Sequence, residues 1–111
     1  MNLLDEIIQA TSARYFIKEQ VPRAELLAQL AEEGAELTHA ALKLRRVIDG
    51  TNPTPVSHPE AVDAIKEEVA DVLLLITLLG LNNDPDEIQK IIDFKTLRWA
   101  GRLKEKEETE K

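Results

Sequence analysis

The chain contains no cysteine, so disulfides and thiolate chemistry are excluded. Aromatics are scarce at 4% of residues, and glycine is present only four times. There is no excess of positive charge: 14 Lys and Arg stand against 21 Asp and Glu, for a formal net charge of −7. A chain that bound DNA or RNA through its phosphates would need a basic face, so no nucleic-acid partner is expected. No long hydrophobic run occurs either. The longest, Val72 to Leu79, is far shorter than the roughly 20 residues needed to span a bilayer, and no membrane partner is expected. The start, Met1-Asn2-Leu3-Leu4-Asp5-Glu6, carries acids where a secretory signal carries bases, which makes the cytoplasm the expected compartment. Phosphate-cradling glycine loops and Ser/His/Asp arrangements are absent as well.

What remains is a helix-forming composition. At 43% apolar and 32% charged, the 111 residues suit one globular domain rich in Leu, Ala, Glu, Ile and Lys. The expected fold is all-α, a bundle of about four helices completed by dimerisation. The first helix is expected from Asn2 to about Glu19, and the second from Pro22 to about Ile48, stopped by Asp49-Gly50. A loop with two prolines follows. The third helix is expected from near Pro59, with Ser57 or His58 before it, to around Gly80. Asp84-Pro85-Asp86-Glu87 announces the fourth, which should continue to about Leu103. The domain is therefore placed at 1–103, and the wholly polar tail at 104–111 is expected to be disordered.

Two acidic clusters decide the functional reading. The second helix carries Glu32-Glu33-Gly34-Ala35-Glu36 and the third carries Glu67-Glu68-Val69-Ala70-Asp71. Acids on a helix are ordinarily a solvated face, but their angular position argues otherwise here. The apolar stripe of the second helix is centred near Leu30, Leu37 and Leu44, and Glu33 falls within roughly 40° of that centre. Glu36 sits beside it at i+3. In the third helix Glu68 and Asp71 belong to the series Ala64, Glu68, Asp71, Leu75, Leu78. Both pairs interrupt faces that should be packed. Converging carboxylates without a partner repel one another and resist desolvation, and a hard cation such as Mg²⁺ relieves both costs.

Glu-Glu-x-x-Glu followed by Glu-x-x-Asp on the next helix resembles the signature of the MazG-like all-α nucleoside triphosphate pyrophosphohydrolases, a superfamily that includes dimeric dUTPases and phosphoribosyl-ATP pyrophosphohydrolases. The stretches LAEEGAEL and KEEVADVLLLITLLG read like that family's two core helices, and the likeness extends from about Pro22 to Leu103. The resemblance implies a Mg²⁺-dependent enzyme, with Mn²⁺ as a substitute ion, that splits nucleoside triphosphates into monophosphate and pyrophosphate. It implies Glu33, Glu36, Glu68 and Asp71 as metal ligands. Glu32 or Glu67 is then the carboxylate that orients or deprotonates the attacking water. The segment between the two halves is longer here than the family's pattern.

Lys95, Arg98 and Arg102 lie on one face of the fourth helix, and a Lys and an Arg three residues apart also follow the core in the family resembled. They are candidates for binding substrate phosphate, guanidinium and ammonium being good phosphate donors; a solvated basic stripe is the bland alternative. Phosphoribosyl-ATP hydrolysis is a second enzymatic reading, although the proline-glutamate-glycine-serine-tyrosine type motif of that family is missing. A non-catalytic helical oligomer is a third. The apolar girdle of residues 72–79 exceeds what one neighbour in a small monomer covers, so a homodimer or homotetramer is expected.

Overall fold

The computed structural model describes residues 2–53 and 55–110. Among them are four helices and no strand: α1 (Leu3–Gln20), α2 (Arg23–Asp49), α3 (His58–Leu78) and α4 (Pro85–Glu110). Each start has a local cause. The Asn2 side chain accepts the backbone N–H of Asp5 at 2.9 Å, and Asp84 accepts that of Glu87 at 3.2 Å. At α3 the exchange is reciprocal: Ser57 Oγ accepts from the Glu60 N–H at 3.2 Å and donates to the Glu60 carboxylate at 3.1 Å. Pro22 precedes α2 as its cap residue rather than forming its first turn.

Ends are equally explicable. α2 stops where Gly50 takes φ 77°, a left-handed conformation that costs little only without a Cβ. Gly80 does the same after α3 with φ 69°. The Pro-rich loop follows Gly50, and Thr54 within it, like Met1 and Lys111, lies outside the described residues. The largest departure from expectation is at the end of α4, which continues as helix through residues 104–110 instead of stopping near Leu103. Lys, Glu and Thr supply no break there, and Lys and Glu are good helix formers.

The chain divides into two compact units, Met1–Leu81 and Asn82–Lys111. In the first, α2 and α3 pack on each other. Leu26 near the start of α2 joins Leu75, Leu78 and Leu79 near the end of α3 in one buried cluster, and the Arg23 guanidinium donates to the Leu79 carbonyl at 3.0 Å. Farther along, Glu33 meets Glu68 and Asp71. Positions that rise on α2 thus fall on α3, and the pair is antiparallel. From α1, Ile17 packs against the same cluster, as does Val21 beyond its end. The remaining apolar side chains of α1 face outward, Leu3 being 72% exposed. The second unit holds α4, with no buried residue; the Arg98 guanidinium lies 5.7 Å from the centre of the Phe94 ring, within reach of a cation–π attraction. No helix among the described residues is long and apolar enough to cross a membrane.

The cluster around Leu75 is small, so each of its members carries a large share of the packing. Leu75→Ala should lower unfolding free energy by about 2–5 kcal/mol, and Ser57→Ala, which removes only a cap, by about 1 kcal/mol. Urea unfolding followed by circular dichroism measures both.

Candidate metal centre

Antiparallel packing sets the site. On α2 the half-buried positions include Leu30, Glu33, Leu37, Ala40 and Leu44, an i+3/i+4 series that turns toward α3. Glu33 is therefore a member of the packed face, as its angular position predicts. On α3 the covered series runs through Ala61, Ala64, Glu68, Leu75 and Leu78, so Glu68 is half-buried too. Asp71, three residues on from Glu68, stays exposed at the edge.

Glu33, Glu68 and Asp71 each present a carboxylate oxygen, and the three oxygens lie within 4.8 Å of one another. That is a distance at which three full negative charges repel strongly in a partly dry setting. Glu33 responds: burial, then the charges of Asp71 and Glu68 and hydrogen bonds with both, hold its carboxyl above the usual 4.5. Glu68 carries a different burden. Its Oε2 is shut off from water and has no hydrogen-bond partner. A buried oxygen without a donor is costly, and a cation at that point would satisfy it. Three carboxylates this close together, one of which has a buried unpartnered oxygen, fit Mg²⁺ or Mn²⁺, which favour carboxylate and water ligands.

The other acids stand apart from this triad. Glu36, Glu32 and Glu67 are all exposed, and none of them belongs to the group of three. Lys95, Arg98 and Arg102 are exposed on α4, in the second unit. Asp93 on α4 accepts a hydrogen bond from the Gln89 amide at 2.8 Å.

Beside the triad the first unit has a groove of about 180 Å³, lined by Ile17, Val21, Leu26, Gln29, Glu33, Asp71, Leu74, Leu75 and Leu78. Glu33 and Asp71 belong to both features, so the carboxylates stand in the wall of a trough whose other lining, Gln29 apart, is apolar. Sequence reasoning did not single out Gln29, which lies one turn before Glu33. Its one signal is that i, i+4 spacing, which places the amide on the acid's side of α2.

Comparison of the chain with protein-family models, with curated proteins and with solved structures returns no match.

A raised acid pKa favours folding below the ordinary glutamate range and ceases to do so as pH rises through the raised value, because the folded state then holds a third like charge. Metal-free protein should accordingly lose stability as pH climbs above 4.5, the ordinary value for Glu33, whereas Glu33→Gln should flatten that decline. Thermal unfolding in the presence of a chelator across this pH window provides the measurement. An equally steep decline in the variant would show that Glu33 is not its source.

Proposed function

We propose that this protein is a divalent-metal-dependent nucleotide pyrophosphohydrolase, cleaving nucleoside triphosphates to monophosphate and pyrophosphate in the cytoplasm. One observation carries the reading: three carboxylates from two antiparallel helices converge within 4.8 Å at the edge of a groove, one of them with a buried, unpartnered oxygen. Such a cluster is costly to fold around and is relieved by a cation, which in turn attracts phosphate. The four-residue pattern shared with the MazG-like enzymes supports the same chemistry.

In this proposal Glu33, Glu68 and Asp71 hold Mg²⁺, and Glu36, at i+3 from Glu33, supplies a fourth carboxylate. When bound, the ion offsets phosphate charge and lowers the pKa of a water. Glu32 or Glu67, exposed and adjacent in sequence to the ligands, orients the attacking water and takes its proton. The water oxygen bonds to the α-phosphorus, the bond from that phosphorus to the bridging oxygen breaks, and pyrophosphate leaves with the bridging oxygen.

The assembly we propose is a symmetric homodimer or a pair of dimers. In the first unit Leu73 is 53% exposed and Phe16 61%, and in the second Trp99 is 69% exposed; a partner subunit would cover large apolar side chains such as these. A purely structural helical oligomer would have the same apolar faces but no need of a cation, so metal dependence separates the two readings.

Glu68→Gln and Asp71→Asn should each abolish Mg²⁺-dependent pyrophosphate release from a panel of nucleoside triphosphates, with helical content unchanged by circular dichroism. Full turnover by either variant would remove the metal-site assignment. Sedimentation equilibrium at micromolar concentration should give twice or four times the 12.5 kDa chain mass, and a monomer would contradict the proposed assembly.

A further inference from the structure

The first unit leaves two apolar faces without cover. On α1, Leu3, Leu4, Ile7, Ile8 and Tyr15 are exposed, and at about 100° per residue they share an arc of roughly 140°. Thr11 lies inside that arc and Arg14 at its edge, where the guanidinium donates to Thr11 Oγ1 at 3.1 Å. Ile17 and Val21 tie the end of the helix to Leu26, Leu75, Leu78 and Leu79, but residues 2–13 are exposed throughout. Helices in proteins draw most of their stability from packing an apolar face, and α1 buries no side chain. The second face is on α3. Val62, Ile65, Val69, Val72 and Ile76 recur every three or four residues, with Leu73 beside them, in an arc of roughly 100° next to the face packed on α2. Val69 and Leu73 are exposed and the other four half-buried. Leu74, which borders the groove with Ile17, lies across α3 from this stripe.

We infer that α1 of one copy lies on this α3 face of a second copy, whose own α1 returns the same contact; the inference rests on the homodimer reading above. Three properties of the faces identify the occupant. The first is length. Leu3 to Tyr15 spans about 18 Å of helix and Val62 to Ile76 about 21 Å, so each face matches the other from end to end. The second is area. At roughly 100 Å² for each exposed side chain and less for each half-buried one, the two faces together offer on the order of 800 Å² per copy. That is about the area a stable pair buries on each side, and neither face reaches it alone. The third is symmetry. A two-fold axis makes every copy both donor and acceptor, so one interface covers both faces, whereas a partner that took α1 alone would leave the α3 stripe in water.

Because the chain has no cysteine, a single introduced one reports only contacts between copies. Ile8→Cys and Leu73→Cys, both at exposed positions, would be refolded together from urea and treated with a flexible bismaleimide. The mixture should yield a species of twice the 12.5 kDa chain mass. Each variant treated alone should yield roughly tenfold less, since in a two-fold pair α1 meets α3 and not itself. Ile8→Lys should raise the dimer dissociation constant about tenfold or more in sedimentation velocity, because its ammonium loses water against an apolar face. Ile48→Lys, also at an exposed position but on α2 and outside both faces, should leave that constant as it was. Efficient cross-linking of Ile8→Cys with itself would place α1 against α1 and overturn the inference. So would a dimer that the mixed pair fails to cross-link, one that Ile8→Lys leaves intact, or equal weakening by Ile48→Lys. A wild-type monomer throughout the micromolar range is a different result: it would remove the homodimer reading, and this interface with it.

Discussion

The packing of α2 against α3 is the contact on which the rest of the first unit depends. Leu26 meets Leu75, Leu78 and Leu79 at one end of the pair, and the antiparallel course of the helices then fixes what meets farther along. Two turns on from Leu26 along α2 comes Glu33, and about one and two turns back from Leu75 along α3 come Asp71 and Glu68. The leucines that stabilise the fold therefore force the carboxylates together. Burial of those side chains contributes on the order of 1.5–3 kcal/mol each, enough to hold a repulsive cluster in place while leaving little surplus.

That arrangement gives the site its asymmetry. Glu68 is half-buried with one oxygen wholly enclosed, Glu33 is half-buried with its proton held more tightly than usual, and Asp71 remains open to water. On the reading proposed here, the enclosed side anchors a cation and the open side admits the substrate. A cation bound to the folded state alone also stabilises it in proportion to its concentration over its dissociation constant, so the cost of gathering the acids is recovered when metal is present. The exposed apolar side chains of α1 and α3 are what the proposed assembly would cover, adding burial that the five buried residues among those described supply only sparingly.

Much of this was legible in the sequence, for reasons that differ between elements. Helix boundaries were written in local chemistry: Asn2 and Ser57 as caps, Gly50 as a left-handed stop, Asp84-Pro85 as a start. Glu33 and Glu68 were legible because a 3.6-residue period places an acid on a packed face or off it, and both lie on it. The same period set Glu36 beside Glu33, but whether a side chain at the margin of a stripe reaches a common point depends on the crossing of the two helices, which no periodicity encodes. The end of α4 is not legible in the sequence, because a wholly polar stretch suits a solvated tail and a solvated helix alike, and Lys and Glu propagate helix well. Gln29 and its groove escaped notice for a related reason. A trough made by residues from three helix segments has no signature along the chain, and only packing assembles it.

On the proposed function, Glu33, Glu68 and Asp71 share one divalent cation. A crystal grown or soaked with Mn²⁺ and measured for anomalous scattering tests it directly, because Mn²⁺ takes the same oxygen ligands as Mg²⁺ and can be located independently of any interpretation of the surrounding density. An anomalous peak is expected among the three carboxylates, at roughly 2.0–2.3 Å from the enclosed Glu68 oxygen. A Mn²⁺-saturated crystal with no peak there, or with its peak bound elsewhere while Glu68 Oε2 stays unpartnered, would contradict it.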